Sequence, residues 1–545
     1  MLPTFVVVFM VALAVSMAII PVMIRLAPHI GMIDKPDPRK VHVVPIPRAG
    51  GIGIVLGALL PMAIWLPLTD TLLAFYVGSL VLLAFGVWDD IAELGHYVKF
   101  IGQFIAAILV VYFGGVVVES FPFMGLEPLS PMIGKPFTVI ALVGMINAIN
   151  HSDGLDGLAG GESLMSLAGM LYLATQASGT EATVLAVAVM GGVFGFLRFN
   201  SHPARVFMGD GGSQFLGFSL GVLAVLLTQQ VNTALSPALP LLLLGLPIAD
   251  ILMVFWKRAR AGGSWFKATK NHVHHRLLEL GFHHYESVTI IYTVQALMVL
   301  AAVAMPYVAD AALVAIYLAL CLLVFVFLER AERRSWRVHA AVGVAGGVMR
   351  NVQYLCETPL TRNAPAVFVT LAVSIFMLIG AFGIQRVPAD MTLVAAVLAV
   401  ALLVRLVLGY RVWFLMLRLL VFTAVALVVY LVNTYPQSWY AALDTTGYVF
   451  FAALALALAI GIRLAERDSF RVTPLDYLVV LIVVALAMLP EKDLAATGML
   501  GMALQAIVLF YGAELAMRKM RNRWNLFTGA TLFSLGVIAV RGLWI

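Results

Sequence analysis

Residues 71–90 read TLLAFYVGSLVLLAFGVWDD, an apolar run from Thr71 to Trp88 that stops on two adjacent acids. A membrane-spanning helix needs about 20 predominantly apolar residues, and this run supplies them. Similar runs recur along the chain, from residues 2–26 to residues 528–543, and a hydropathy reading counts roughly eighteen of them. Strict two-residue alternation is absent, so the pattern predicts an all-α, polytopic transmembrane helical bundle and not a β-barrel. Composition agrees: 62% of the 545 residues are hydrophobic, 11% are charged, and the mean hydropathy is +1.01. That leaves too little polar surface to cover a soluble globule. The first run has no basic segment before it and no small-residue cleavage site after it, so it reads as a retained span. Cys321 lies in an apolar run and Cys356 in a basic loop, which suggests neither a disulfide framework nor a metal cluster.

The net charge of +6 would suggest a nucleic-acid partner in a soluble chain. In a membrane protein the excess of Lys and Arg in cytoplasmic loops explains it, and no nucleic acid is expected. With the N-terminus outside, Lys135, Arg386, Lys492 and Arg541 alone among the 34 Lys and Arg residues fall on the outer side. This orientation puts every polar cluster described below on the cytosolic face of the membrane. The dense clusters all precede residue 290. A basic stretch over 329–365, punctuated by Gly343, Gly346, Gly347, Pro359 and Pro365, then interrupts the hydrophobic pattern. The expected organisation is a membrane domain over 1–328, a basic cytosolic linker over 329–365 and a further transmembrane domain over 366–545 without a comparable cluster.

Asp89 and Asp90 end their helix, and either alone would pass for a solvated helix end. Lys99 and Gln103 stand four apart at the start of the next span, hence on one helical face. A lysine facing an acid across such a hairpin can hold an anionic phosphate beside a base. Residues 147–158, NAINHSDGLDGL, gather Asn147, Asn150, Asp153 and Asp156 among glycines. Helix capping would account for Ser152 or Asp153. It does not call for the whole set, whose oxygens are the hard ligands that magnesium takes, with glycines allowing close backbone approach. Residues 199–213, FNSHPARVFMGDGGS, place Asp210 at a helix entrance among glycine amides that suit an anion. An exposed Phe207 beside it offers a flat face for a nucleobase.

The last cluster runs from Lys257 through Arg258, Arg260, Lys267 and Lys270 to His272-Val-His274-His275-Arg276, then His283 and His284. The first three basic residues read as topology signals. The His-x-His-His run lacks the i, i+4 pair and the cysteines of common zinc sites. Imidazole and guanidinium donors packed this closely suit a pyrophosphate or a sugar.

Taken together, these residues resemble the polyprenyl-phosphate N-acetylhexosamine-1-phosphate transferase superfamily, glycosyltransferase family 4. The matching pieces are Asp34-Lys-Pro-Asp-Pro-Arg-Lys40 with Pro45-Ile-Pro-Arg48-Ala-Gly-Gly51, Asp89-Asp90 with Lys99, residues 147–158, Val206-Phe-Met-Gly-Asp210 and residues 272–278. The resemblance covers about the first 330 residues, and the loop over 45–48 with the His-x-His-His-Arg run looks like the undecaprenyl-phosphate GlcNAc-1-phosphate branch. It implies that Asp210 and Asn150 hold Mg2+, with Mn2+ as a substitute. It further implies that Asp156 and Phe207 hold a uracil, and that Asp89 and Asp90 lie near the lipid phosphate, with Asp89 as its base. Lys99 would pair with phosphate, and His274, His275 and Arg276 would close over the sugar and pyrophosphate. Asp153 joins the catalytic set, while Asn200, His272 and Arg48 join the substrate-binding one. His151-Ser152-Asp153-Gly154 departs from the family's usual Val or Thr before Asp-Gly and keeps the acids in place. The implied reaction transfers GlcNAc-1-phosphate, or another HexNAc-1-phosphate, from a UDP-sugar to undecaprenyl phosphate. UMP is released, and an O-antigen, capsule or teichoic-acid-like glycan is begun. A homodimer stays open.

Two other classes compete. Gly209-Asp210 invites comparison with intramembrane aspartyl proteases, but Phe207 replaces the first glycine of their signature and the Asn-rich and His-rich clusters go unused. A lipid or sugar transporter would place its site near the bilayer midplane, whereas these clusters sit at helix ends.

Overall fold

The computed structural model describes residues 2–36, 44–123, 128–260, 271–338, 359–408, 414–464, 505, 508–513, 515–517 and 524–543. The basic residues Arg39, Lys40, Lys267 and Lys270, together with Cys356 and most of the expected linker, lie outside them. The chain divides into two compact units, one within Met1–Ala341 and the other within Val342–Val472 and Leu489–Ile545.

The first unit is built from thirteen described helices: α1 (Leu2–Ile30), α2 (Gly50–Trp65), α3 (Asp70–Ala92), α4 (His96–Ile108), α5 (Pro131–Ser152), α6 (Leu158–Gln176), α7 (Thr180–Asn200), α8 (Gly209–Leu226), α9 (Pro240–Leu243), α10 (Gly245–Arg260), α11 (Val273–Glu279), α12 (His284–Ala304) and α13 (Asp310–Arg333). The described strands are a two-residue antiparallel ladder, Ile33–Asp34 against Ile46–Pro47. The all-α expectation therefore holds.

Helix α8 lies at the centre of the packing. Every residue from Gly211 to Leu226 is buried, and the helix packs on α3, α5 and α2. Phe75, Phe215 and Phe218 fill the α3–α8 seam, with Phe75 and Phe218 stacked at 5.4 Å. Helix α7 closes the other side against α1, α2 and α6, where Gly191, Gly192 and Gly195 admit neighbouring backbones and Ser16 Oγ donates to Gly192 O at 2.8 Å. Small residues at such seams let helices approach where lipid gives no hydrophobic drive.

Ten described helices are long and apolar enough to cross a membrane, and five shorter apolar helices accompany them. That is fewer than the roughly eighteen spans read from hydropathy. Helices α2 and α10 contain only 16 residues each, and residues 465–504 lie outside the described set. Helix α13 continues to Arg333, past position 329 where the linker was expected to begin.

In the second unit, Pro359–Gly383, Ala389–Leu408, Phe414–Thr434, Asp444–Leu464 and Trp524–Leu543 surround an apolar core containing Val373, Met377, Val425 and Leu535. Asn433 Nδ2 donates to Gln505 Oε1 at 2.8 Å, and Arg541 donates to the carbonyls of Phe382 and Ile384 at a helix end.

Candidate active site

The C-terminal ends of α3, α5 and α7 meet the N-terminal ends of α4, α6 and α8, so the polar clusters converge at one end of the first unit. Backbone approach makes this possible at α3 and α8. A Cβ on Gly86 would collide with the backbone of Gly211, and one on Gly51 with that of Gly212. Gly209 has φ +70, a left-handed value, and a Cβ there would run into the Asp90 carboxylate. With hydrogen in that place, Asp210 N–H donates to both Asp90 oxygens, at 3.2 and 3.1 Å. Asp90 therefore caps the free end of α8, where a negative charge is stabilising.

Lys99 reaches from the start of α4 into the same cluster. Its Nζ lies 2.6 Å from Asp89 Oδ2 and 2.7 Å from Asp210 Oδ2, so one ammonium bridges two carboxylates from different helices. Asn150, near the end of α5, donates from Nδ2 to Asp210 Oδ1 at 3.2 Å and to Ser213 Oγ at 2.8 Å, leaving its amide oxygen unused in these bonds. Gln103, on the face of α4 that carries Lys99, accepts from Asn147 Nδ2 at 2.7 Å. Asp89 Oδ1 is buried without a hydrogen-bond partner. Carboxylate and amide oxygens, one of them buried and unsatisfied, form a donor set that suits a small, hard divalent cation. Lys99 on both Asp89 and Asp210 leaves no bare carboxylate pair of the kind an aspartyl protease needs.

The turn from Asp153 to Gly157 joins α5 to α6. Burial, followed by the charges of Asp210 and Asp156, pushes the Asp153 carboxyl up to about 7. Asn200 was expected on the substrate, but it ties this turn to the next loop: its Oδ1 accepts from Gly157 N–H at 2.8 Å and its Nδ2 donates to Val206 O at 2.9 Å. Both amide functions are engaged inside the protein, so Asn200 shapes the site without facing it. Tyr292 of α12 donates to Gly157 O at 2.6 Å and braces the same turn. Phe207 is half-buried, not exposed as read from the sequence. Its N–H donates to Pro47 O at 2.7 Å and its carbonyl accepts from Gly50 N–H at 2.9 Å. The neighbouring Arg48 is paired with Asp34 of the small ladder.

The histidine segment is anchored from beneath. Asp250, on α10, accepts from His272 Nδ1–H at 2.7 Å and from Val273 N–H at 2.9 Å. His274 is buried against the Asp153 turn, where a Cβ on Gly154 would collide with its ring. Burial, then the neighbouring His275, His272 and His284, hold its imidazole well below the usual range, so it is neutral. His275 is half-buried beside it, with ring centroids 4.1 Å apart. Arg276 was expected to close over pyrophosphate. It is buried instead in a two-pronged bond to Glu332 of α13, at 2.5 and 2.9 Å, with Glu329 at 3.6 Å. Its guanidinium fixes the loop to α13, and a bidentate carboxylate pair is the geometry that arginine favours.

Four contributors went unassigned in the sequence: Asp250, Glu332, Tyr292 and His202. Asp250 had a readable signal, an acid in an apolar helix, where an ionisable group needs a partner. His202 and Glu332 stood in segments already singled out, without a role. Nothing local marks Tyr292.

Comparison with known proteins adds the lineage. Residues 72–228 match the family described as Glycosyl transferase family 4. The chain is 36% identical over 291 residues to a probable undecaprenyl-phosphate N-acetylglucosaminyl 1-phosphate transferase of Bacillus subtilis, covering 53% of this chain and 81% of that protein. It is 32% identical over 298 residues to a decaprenyl-phosphate N-acetylglucosaminephosphotransferase of Mycobacterium tuberculosis, with 49% and 74% covered. Against the undecaprenyl-phosphate alpha-N-acetylglucosaminyl 1-phosphate transferase of Escherichia coli K12 it is 28% identical over 323 residues, with 58% and 87% covered. A multi-pass helical membrane protein with these relatives, whose acids and lysine converge within the matched residues, belongs to glycosyl transferase family 4, the polyprenyl-phosphate N-acetylhexosamine-1-phosphate transferase superfamily.

Proposed function

We propose that this chain transfers GlcNAc-1-phosphate, or a related HexNAc-1-phosphate, from a UDP-sugar to undecaprenyl phosphate at the cytosolic face of a bacterial inner membrane. The observation that carries this reading is Lys99 standing between Asp89 and Asp210, with Asn150 on the same carboxylate. The names of the relatives support the substrate class, and the Lys and Arg asymmetry supports the orientation.

In the reaction, an oxygen of the lipid phosphate bonds to the sugar-linked phosphorus of the donor. The bond from that phosphorus to the bridging oxygen breaks, and UMP leaves with the electron pair. Lys99 pairs with the phosphate oxygens that replace its carboxylate partners. Asp89 takes the remaining proton of the lipid phosphate, whose second pKa is about 6 by analogy with phosphorylated side chains. Asp90 acts through the backbone by holding the start of α8. Asp210 and Asn150 would hold Mg2+, with Mn2+ as a substitute, and Asp89 Oδ1 adds an unsatisfied oxygen beside them. When bound, the ion supplies charge neutralisation on the diphosphate. Asp156 and Phe207 receive the uracil, and His274 and His275 face the sugar side beside Asp153. The rest is positioning, the main requirement of phosphoryl transfer. We assign this activity to residues 1–328 and the start of a surface glycan to its product.

The test is a reconstituted assay with radiolabelled UDP-GlcNAc and undecaprenyl phosphate, following UMP and labelled lipid with and without EDTA. Magnesium-dependent release of both products is expected. Absence of UMP release with every UDP-HexNAc tried would sink the proposal, and full transfer by Asp210→Asn would remove the metal assignment.

A further inference from the structure

Asp156, assigned above to the uracil, sits at the centre of a network whose histidines the proposed chemistry leaves unused. Its Oδ2 accepts from His202 Nδ1–H at 2.7 Å and from the backbone N–H of Ala204 at 3.0 Å. Its carbonyl accepts from His284 Nε2–H at 3.2 Å. The His202 and His284 rings stack with centroids 4.1 Å apart and planes 22° apart. Two residues before His202, Asn200 fastens both Gly157, next to Asp156, and Val206. The turn carrying Asp156 and the loop carrying Phe207 are thus one assembly, with His202 at the joint.

Three ligand-type atoms, one each from Asp156, His202 and His284, lie within 4.8 Å of one another. A shared metal fits them poorly. His202 Nδ1 is already at hydrogen-bond distance from the carboxylate, closer than the roughly 3.3 Å between two ligands of one tetrahedral zinc with bonds of about 2.0 Å. The imidazole rings also stack, where ligation would make their lone pairs converge. The network instead fixes the carboxylate. Both donors go to Oδ2, and no hydrogen bond from a described residue occupies Oδ1.

We propose that His202 is a positioning residue that sets nucleobase choice through Asp156, an inference that rests on the UDP-sugar reading above. By donating to Oδ2 it orients the carboxylate so that its other oxygen faces the base as an acceptor. Uracil offers an N3–H donor to that oxygen. Cytosine presents a lone pair at the same ring position and is repelled. A site built to accept one N–H rejects the analogue lacking it far more strongly than apolar contacts could. The Asp156–His202 pair would thereby select uridine nucleotides over cytidine ones, with the stacked His284 keeping the His202 ring in plane.

The test uses the full-length protein with Mg2+ and undecaprenyl phosphate, measuring kcat and KM for UDP-GlcNAc and inhibition by UMP against CMP. His202→Phe keeps a flat ring against His284 and loses the donor. It should raise KM by about tenfold to a hundredfold, the range for losing a hydrogen bond to a charged group, with kcat within about threefold. The UMP-over-CMP preference should fall with it. His202→Asn, whose amide nitrogen stands where Nδ1 stood, should restore KM to within about threefold of wild type. Asp156→Asn, which presents an amide donor, should shift the preference toward CMP and tests the idea independently of how His202→Phe folds. Unchanged KM and nucleotide preference in His202→Phe, equal loss in the Phe and Asn variants, or an unshifted preference in Asp156→Asn would each overturn the inference while leaving the transfer reading intact. One equivalent of zinc retained per chain and lost in His202→Phe would replace it with a metal centre. Failure of wild-type protein to release UMP would overturn the transfer reading and this inference with it.

Discussion

Replacing Lys99 with methionine keeps the length of the side chain and removes the ammonium that bridges Asp89 and Asp210. At 2.6 and 2.7 Å, each contact supplies about 6 kcal/mol of attraction at an effective dielectric of about 20. Desolvation of the lysine and the acids offsets much of this, and breaking a buried pair typically costs about 3–5 kcal/mol. A ceiling comes from protonation. One carboxylate can take up a proton at pH 7, which for an ordinary aspartate costs about 4 kcal/mol. The expected loss in metal-free protein is therefore about 3–4 kcal/mol. The first unit exceeds 300 residues, and with about 2.1 cal/mol/K of unfolding entropy per residue each kcal/mol lowers the melting temperature by about 1.5 °C, so it should fall by roughly 4–6 °C. The assay is thermal unfolding of detergent-solubilised wild-type and Lys99→Met protein in EDTA and in millimolar Mg2+. Magnesium should recover most of the loss, because a divalent cation can neutralise the same oxygens. Transfer should stay down by about a hundredfold or more even with magnesium, the usual effect of losing one charged stabiliser of a transition state. Equal melting temperatures in EDTA, or a deficit untouched by magnesium, would refute the reading of Lys99 as the ammonium that balances a cation-binding cluster.

Three further changes probe the framework around it. The Asp153 carboxyl, raised to about 7 in the folded protein, binds its proton more tightly there than in the unfolded chain. Its contribution is present at low pH and is lost as pH rises toward and through 7. Asp153→Asn should raise the melting temperature in EDTA at pH 8, with the gain vanishing near pH 4, and a gain independent of pH would contradict this. Gly209→Ala forces a side chain into a left-handed backbone position and against Asp90; it should lower transfer at least tenfold, a loss of about 1.4 kcal/mol or more, measured as UMP release. Glu332→Gln removes the charge that holds the buried Arg276 and should destabilise the protein by about 3–5 kcal/mol in thermal unfolding, whereas wild-type stability would show that Glu329 suffices.

Much of the molecule was legible in the chain itself. Apolar runs of about 20 residues demand lipid-facing helices whatever their neighbours, so fold class and the helices ending near Asp90 and beginning near Asp210 could be read locally. The candidate cluster was legible because Asp89, Lys99, Asn150 and Asp210 are polar groups at the mouths of apolar runs, where each requires a reason. Partnership was not legible. Whether Asn200 or Arg276 is open to a ligand depends on which helix end lies opposite, and an apolar run specifies a helix without naming what covers it. Tertiary packing set Gly157 and Val206 against Asn200, Glu332 against Arg276, Asp250 beneath His272 and His202 onto Asp156. These bonds join groups up to 56 residues apart in sequence, and hydrogen bonds act only over about 3 Å. The sequence by itself determined a membrane-embedded helical protein of a transferase family and marked the acids of a candidate site; the tertiary structure decided which polar groups near those acids are engaged in holding the fold, because a hydrogen bond forms only where packing brings its two partners together.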